Sequence, residues 1–335
     1  MNSYTIGVDL GGTNLRIAAY SHNAGLLDPV TMPTRLDAGR DAVVSDMCQA
    51  IRRLLERYSH TMSLAGIGIG SPGPVELPEG RLRNLPNFPG WNGFELRAVI
   101  ERTLGKPVIV EHDASLAALA ECKLGKGKKF GINSLCMLTL GTGVGGGIVL
   151  RGKIWEGMNG MAGEAGHITV CPDGHACGCG SHGCLEQYAS APAICRMVRE
   201  AVAERLAPGL AAMEKNHPSF SSEEVFEIAS AGDPDAKRVF ETVGRSLGIA
   251  LGTLVNTLNL PLYVLGGGLA MAWDLFSPSL FAELHRRSYV YRFTDGQVDG
   301  DGHKSAMTRI EPATLGSEAG ILGACLLPLT LDRKG

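Results

Sequence analysis

Two glycine-rich turns constrain the fold of this chain more than any other feature of its sequence. The first, LGGTN at 10–14, lies between apolar runs at 4–9 and 15–20, and the second, GTGVGGG at 141–147, lies between 134–140 and 147–151. Strand, glycine turn and returning strand predict a β-hairpin, not the strand, loop and helix of a dinucleotide site. Because one hairpin opens each half of the chain, the sequence predicts two α/β halves with a cleft between them.

The segments between the hairpins predict helices and short buried strands. We expect helices over 41–58, 93–104 and 114–124, buried strands over 64–70, 107–110 and 262–265, and a last helix starting near Ser317. A polar loop is expected over 295–305. The length of 335 residues suggests two domains. We place the first at 1–113 plus 318–335 and the second at 114–317.

Composition limits the classes of protein that this chain can belong to. A hydrophobic fraction of 44% and a charged fraction of 19% indicate a globular chain. The net charge of −3 argues against a broad nucleic-acid-binding face and leaves room only for a local patch. The first residues contain no basic region followed by an apolar stretch, so no signal peptide is predicted. The uncharged run 246–273 contains Pro261 and three consecutive glycines, which favours a buried helix, loop and strand over a membrane span.

A cluster of one histidine and three cysteines predicts a metal site. Nine residues separate His167 from Cys177, and Cys179 and Cys184 follow closely. Four such ligands complete a tetrahedral zinc site with no open position, so we expect a structural Zn²⁺ ion. The nine cysteines do not form a disulfide framework, which indicates a reducing, cytoplasmic setting. Cys171 remains open as a competing ligand, whereas His175 and His182 are expected to be bystanders.

Several carboxylates stand at positions suited to chemistry. Glu164 and Glu186 flank the predicted zinc site and could hold a polyhydroxylated ligand through bidentate hydrogen bonds. Asp113 follows a strand and opens a helix, where it is either a base in a cleft or a helix cap. Asp9 precedes the first glycine turn and either holds water on a Mg²⁺ ion or forms the turn. The turns either cradle phosphates or serve as plain hairpin turns.

Four motifs together resemble those of the ROK (repressor, ORF, kinase) family. They are DLGGTNLR at 9–16, GSPGPV at 70–75, GEAGH at 163–167 and CGCGSHGCLE at 177–186. The likeness covers essentially the whole chain and ends with LGSEAG at 315–320. The zinc signature is specific to this family, whereas the glycine hairpins fit the wider actin, hexokinase and heat-shock ATPase superfamily. Within the family, NLPNFPGW at 84–91 is most similar to bacterial glucokinases.

The resemblance implies a two-domain α/β fold of the actin/hexokinase-like (ribonuclease H-like) type, with a central cleft that closes over ATP and a sugar, and with a zinc knuckle. It implies an ATP-dependent hexose kinase that phosphorylates glucose at the 6-hydroxyl and uses Mg²⁺, and it suggests a homodimer. Kinases for N-acetylmannosamine, fructose or allose remain alternatives. A sugar-sensing regulator is a further alternative, although the first hairpin begins at residue 4 and leaves no room for a helix-turn-helix segment.

The resemblance also assigns roles to individual residues. It implies that Asp113 is the general base on the sugar hydroxyl and that His167 uses one ring nitrogen for zinc and the other for sugar. The implied sugar contacts are Gly73, Asn87, His112, Asp113, Glu164, His167 and Glu186. The implied nucleotide and Mg²⁺ contacts are Asp9, Gly11, Gly12, Thr13, Asn14, Arg16, Gly141, Thr142 and Gly143, with Gly266, Gly267 and Gly268 bordering the adenosine.

The sequence departs from the family pattern at His112, because the family usually has Asn directly before the catalytic Asp. A neutral imidazole nitrogen can donate or accept a hydrogen bond but cannot do both, unlike an amide group. We expect His112 to contact a sugar hydroxyl in the place of that Asn. The alternative is a surface histidine that packs outward.

Overall fold

The structure is a computed structural model that describes residues 3–83, 85, 87–296 and 307–330. Contacts within the chain define two compact units. The first comprises the described residues of Met1–Met137, Gly147–Gly163 and Thr314–Gly335, and the second comprises those of Leu138–Gly146 and Glu164–Ala313. The predicted domains, 1–113 plus 318–335 and 114–317, have different boundaries from these two units. In the structure, the helix that begins at Asp113 belongs to the first unit.

The elements alternate along the chain as α/β proteins do. The strands are β1 (Ser3–Leu10), β2 (Asn14–Ser21), β3 (Gly25–Pro33), β4 (Ser63–Ser71), β5 (Val75–Glu76), β6 (Arg81–Leu82), β7 (Val108–His112), β8 (Leu135–Leu140), β9 (Val144–Leu150), β10 (Lys153–Ile154), β11 (Leu262–Gly266) and β12 (Arg309–Pro312). The helices are α1 (Arg40–Tyr58), α2 (Leu96–Leu104), α3 (Asp113–Lys123), α4 (Lys126–Phe130), α5 (Glu186–Ala189), α6 (Ala191–Ala203), α7 (Pro208–Asn216), α8 (Ser222–Ser230), α9 (Pro234–Leu258), α10 (Trp273–Arg287), α11 (Tyr291–Thr294) and α12 (Ala319–Leu326).

The first unit contains a mixed five-stranded sheet with the order β3-β2-β1-β4-β7. β1 pairs antiparallel with β2 and parallel with β4, and β7 pairs parallel with β4. Ile6 and Val8 of β1 belong to the buried cluster that includes Met47 of α1. A Cβ on Gly7 would lie 2.5 Å from Sγ of Cys325 in α12. Since neighbouring strand residues face opposite sides, α1 and α12 cover opposite faces of this sheet.

A second five-stranded sheet has the order β10-β9-β8-β11-β12, with β11 and β12 parallel. The long helices α9 and α10 pack closely in the second unit. A Cβ on Gly244 would lie 2.2 Å from the Phe276 carbonyl oxygen, so only glycine permits this approach. The uncharged run 246–273 forms the end of α9, a short loop, the buried strand β11 and a turn, as predicted. Within the described ranges, no helix combines the length and apolarity that a membrane crossing requires.

Most predicted elements are present, with differences at some boundaries and with several further elements that the sequence analysis did not predict. The predicted helix at 93–104 begins only at Leu96, and the last α-helix begins at Ala319 after a 3₁₀ turn. The second glycine turn is shorter than predicted, because β9 already begins at Val144. β3 has no counterpart in the sequence prediction. Residues 297–305 of the predicted polar loop, and Asn84 and Pro86 of the NLPNFPGW segment, lie outside the described residues.

Candidate active site

The first glycine turn closes the β1–β2 hairpin, as the sequence predicts. The Gly11 amide donates a 3.0 Å hydrogen bond to the Asn14 carbonyl oxygen, and a Cβ on Gly11 would lie only 2.9 Å from that oxygen. The hydroxyl of Thr34, the residue directly after β3, donates a 2.7 Å hydrogen bond to the Gly11 carbonyl oxygen and stabilises the turn. Gly12, Thr13 and Asn14 are exposed at the tip. The tip therefore presents backbone amides in a fixed conformation, which suits phosphate oxygens.

Asp9, just before this turn, lies in an electrostatic cluster within the first unit. Burial raises the pKa of Asp9 to about 6, repulsion by the Asp113 carboxylate adds to the shift, and Arg16 opposes it. Arg16 pairs with Asp9 across the hairpin and donates to the Ser317 carbonyl oxygen. Gly320 leaves room for the Asp9 carboxylate, since a Cβ there would lie 2.9 Å from Oδ2. Two interacting carboxylates beside an exposed amide turn form a favourable site for a divalent cation.

Asp113 stands where β7 ends and α3 begins. The preceding residue, His112, pairs with Ser71 of β4 and is only 8% exposed, which excludes an outward-facing surface histidine. Its Nε2 atom lies 3.3 Å from Oδ1 of Asp113. The predicted sugar contact of His112 remains a prediction, and the contact that the structure shows is with the carboxylate of the proposed base.

Glu111 is a residue of this region that the sequence analysis missed. It is 1% exposed, and its Oε1 accepts a 2.8 Å hydrogen bond from the His112 amide. Burial raises the pKa of Glu111 to about 7, and repulsion by Glu156 acts in the same direction, whereas bonds from the His112 amide and the Ser115 side chain oppose the shift. The available signal was a glutamate placed directly between three apolar strand residues and His112-Asp113.

Gly73 and Asn87, the other predicted sugar contacts of the first unit, lie in a loop region with an aromatic anchor. Gly73 has a φ of +71°, a conformation that favours glycine. Asn87 is exposed, while the neighbouring Phe88 and Trp91 are buried with their rings edge to face at 5.6 Å. This packing fixes the backbone and leaves the Asn87 amide at the surface.

In the second unit, the segments that carry the predicted sugar contacts Glu164 and Glu186 contact Val144, which directly follows the second glycine turn. Oε2 of Glu186 accepts a 3.0 Å hydrogen bond from the Val144 amide. A Cβ on Gly166, between Glu164 and His167, would lie 2.0 Å from the Val144 carbonyl oxygen. A Cβ on Gly143 would lie 2.6 Å from Glu186 Oε2. The glycines therefore allow the segments of both glutamates to pack against the start of β9.

The predicted zinc ligands His167, Cys177, Cys179 and Cys184 lie together, with their ligand atoms within 4.8 Å of one another. Cys177 Sγ is 3.7 Å from Nδ1 of His167, and the sulfurs of Cys179 and Cys184 are 3.7 Å apart. In a tetrahedral site with Zn–S bonds of about 2.3 Å, two sulfurs lie about 3.8 Å apart. The cluster therefore fits one zinc ion. Nδ1 faces the cluster, which leaves Nε2 of His167 for another partner.

The thiols of this cluster form hydrogen bonds with one another, and these bonds change their pKa values. Burial and hydrogen bonds to neighbouring thiols raise the pKa of Cys184 to about 12, whereas a backbone bond at Ser181 lowers that of Cys179. Since zinc binds thiolates, metal binding here would release protons and weaken at low pH. Cys171, the competing ligand considered from the sequence, is exposed and is not part of the four-residue group.

A cavity of about 520 Å³ lies within the second unit beside the glycine turn. Gly141, Thr142 and Gly268 line it, and their contact with a nucleotide remains a prediction. Gly266 is buried in β11. A Cβ on Gly267 would lie 2.3 Å from the Leu140 carbonyl oxygen, so this glycine permits close packing. The opposite wall comes from α8, including Glu223, Phe226 and Glu227, which the sequence analysis did not anticipate.

A protein-family model described as the ROK family matches residues 5–330. The chain belongs to the ROK family. A glucokinase from Halalkalibacterium halodurans is 38% identical over 321 residues, covering 95% of this chain and 92% of that protein.

Solved ROK structures match over nearly the whole chain. A ROK hexokinase from Thermus thermophilus has a TM-score of 0.77 at 34% identity and covers 97% of both chains. A ROK glucokinase from Streptomyces griseus, in complex with glucose and AMPPNP, has a TM-score of 0.74 at 30% identity. That match covers 99% of this chain and 100% of the other. The mixed α/β sheets described above are thus those of the ROK sugar kinase fold.

The candidate residues of this ROK chain fall into two groups. Asp9, Gly11, Gly12, Thr13, Asn14, Arg16, Gly73, Asn87, His112 and Asp113 lie in the first unit, and Gly141, Thr142, Gly143, Glu164, His167, Glu186, Gly266, Gly267 and Gly268 lie in the second. Within each unit, the structure joins residues that are far apart in sequence. The Asp9–Asp113 interaction in the first unit and the Val144–Glu186 hydrogen bond in the second are the clearest cases.

Proposed function

We propose that this ROK chain transfers the γ-phosphoryl group of ATP to the 6-hydroxyl of glucose. The observation that carries the proposal is the proximity of Asp9 and Asp113 in the first unit: Asp9 pairs with Gly70 of β4, and a Cβ on Gly70 would lie 3.9 Å from the Asp113 Cα atom. It sets a candidate base beside a candidate cation site, which is the minimum that phosphoryl transfer to an alcohol requires. The 38% identity to a glucokinase over 95% of the chain supports glucose as the acceptor.

In this proposal Asp113 takes the proton of the sugar hydroxyl as that oxygen attacks the γ-phosphorus. Asp113 lies in the first turn of α3, where the helix N-terminus interacts favourably with a negatively charged group. Glu164, His167 and Glu186 hold ring hydroxyls, with Gly73, Asn87 and His112 as further contacts. Asp9 would hold a Mg²⁺ ion, directly or through water, and that ion would neutralise phosphate charge.

The two glycine turns would bind the phosphates through their backbone amides, and the 520 Å³ cavity would take the adenosine. The zinc ion would be structural, because four protein ligands leave no position for a reacting water. It would fix the segment that carries His167 and leads to Glu186. A homodimer is also expected from the family resemblance.

Glucose-dependent ADP release tests this proposal. The coupled assay is run with glucose, N-acetylmannosamine, fructose and allose at equal concentrations. We expect the highest kcat/KM with glucose. A higher value with another hexose would replace glucose as the acceptor, and no ADP release with any of the four would favour the sugar-sensing regulator.

Replacement of His112 by Asn is expected to change the ranking of the hexoses by kcat/KM. The imidazole lies 3.3 Å from Asp113 Oδ1, and an amide presents its donor and acceptor in a different geometry. The measurement is kcat and kcat/KM for each hexose. His60→Asn, at an exposed histidine, is the control. An unchanged ranking would remove His112 from recognition.

Gly268→Phe is expected to raise the KM for ATP about tenfold, since overfilling a site costs about 1–3 kcal/mol and 1.4 kcal/mol is a factor of ten. Gly268 lines the cavity, and a Cβ there would meet no atom within 4 Å, so the larger side chain has open space to enter. Gly268→Ala is the matched control, because its single methyl group fits. Initial rates at varied ATP give the KM. A Phe variant with the parent KM for ATP would place the adenosine elsewhere.

A further inference from the structure

Glu111 is a buried carboxyl group to which the proposed mechanism gives no role. It lies at the end of β7, where its backbone pairs with Gly70 of β4. Its 1% exposure and the pKa of about 7 show that burial disfavours its charged form. An apolar side chain would be easier to bury at this position, so the carboxyl group must provide something that an apolar group cannot.

The hydrogen bonds given for Glu111 are to the turn that carries Asp113. Oε1 accepts from the His112 amide at 2.8 Å, and the Ser115 side chain provides a second hydrogen bond. His112 is the N-cap residue of α3, and Ser115 lies within its first turn. The imidazole of His112 in turn lies 3.3 Å from Oδ1 of Asp113. The carboxyl group of Glu111 thus forms hydrogen bonds with one residue before Asp113 and one residue after it in the sequence.

We propose that Glu111 is a positioning residue that fixes the orientation of Asp113 for proton abstraction by holding the backbone of His112 and the side chain of Ser115. The inference rests on the proposed role of Asp113 as the base. It differs from a purely structural helix cap, which would stabilise α3 without affecting the reaction. Misplacement of a reacting group by about 1 Å can cost roughly 10²-fold in rate, so a small change in this turn has a measurable effect.

The test compares Glu111→Met with Glu111→Gln. Met has a similar length and no oxygen, whereas the Gln amide can accept from the His112 amide and donate to Ser115. We expect Glu111→Met to lower kcat by about tenfold or more, with KM for glucose and ATP changed by less than about threefold. Glu111→Gln is expected to keep kcat within about threefold of the parent. A Met variant with the parent kcat would overturn the proposal.

A double-mutant cycle with Asp113→Asn separates positioning from stability. If Glu111 acts through Asp113, Glu111→Met should lower the residual kcat of Asp113→Asn by less than about twofold. The same tenfold loss in both backgrounds would show a general structural effect and overturn the proposal. If the Met variant does not fold, Ser115→Ala decides, with an expected loss of about threefold in kcat for one hydrogen bond, and parent kcat there counts against the proposal.

Failure of the inference is distinct from failure of the proposed function. No glucose-dependent ADP release by the parent would refute the function itself. Parent-like kcat in Asp113→Asn would refute the base assignment and the positioning role with it. An active parent, a defective Asp113→Asn and a fully active Glu111→Met would refute only the role of Glu111.

Discussion

Asp113→Asn is expected to lower kcat for glucose phosphorylation by about 10²–10⁴-fold, the usual range for loss of a general base. The amide keeps the size and one acceptor oxygen of the side chain at the start of α3 but cannot accept the proton. The KM for glucose should therefore change only by a modest factor. Steady-state kinetics over a range of glucose concentrations, with coupled detection of ADP, measures both constants.

The control for this prediction is Asp41→Asn, at an aspartate in the first turn of α1 whose side chain is 89% exposed. It removes one carboxylate from the surface and should retain the parent kcat and KM. An Asp113→Asn enzyme with nearly the parent kcat would remove Asp113 from the role of base. A large rise in KM with kcat unchanged would point to a binding role instead.

Loss of the zinc site is expected to have the second large effect. Elemental analysis should give about one zinc per chain, as expected for one four-ligand cluster among the described residues. Cys179→Ser should lower both the zinc content and the melting temperature, because metal binding at a structural site contributes directly to folding. The surrounding segment has little apolar burial of its own, since Gly178, Cys179, Gly180, Ser181 and His182 are all exposed.

Cys171→Ser is the matched control, because this exposed cysteine lies outside the four-residue cluster. It should keep the zinc content and the melting temperature of the parent. Equal zinc loss in both variants would make Cys171 a ligand after all. Active, purified protein without metal would refute a structural zinc site.

The sequence predicted well those parts of the fold that local physical chemistry determines. The β1–β2 hairpin follows from a turn in which a Cβ on Gly11 would meet the Asn14 carbonyl oxygen. The helix at 41–58 follows from one apolar face, and its buried residues Met47 and Ile51 pack against the first sheet as expected. The grouping of His167, Cys177, Cys179 and Cys184 could be predicted because these residues are close in sequence and have the donor atoms that a tetrahedral ion requires.

The parts that the sequence did not reveal depend on contacts between distant segments. β3 is an edge strand with exposed residues and two prolines, so it lacks the alternating apolar pattern of a half-buried strand. The wall of the cavity formed by α8 lies about 80 residues after the glycine turn, and nothing in its amphipathic pattern marks Phe226 as facing a cavity. Glu111 is one polar residue in an otherwise apolar strand. Only its burial in the folded protein distinguishes it from a surface glutamate.

The hydrogen bond between the Val144 amide and Glu186 joins two parts of the second unit for which different ligands are proposed. Val144 directly follows the turn proposed to bind phosphates, and Glu186 is proposed to bind the sugar. A nucleotide that shifts this turn also shifts the carboxylate, so the two binding equilibria share a free-energy term. By reciprocity, whatever factor the nucleotide applies to the affinity for glucose, glucose applies to the affinity for the nucleotide. With these proposed roles, one backbone amide would couple the binding of the two substrates.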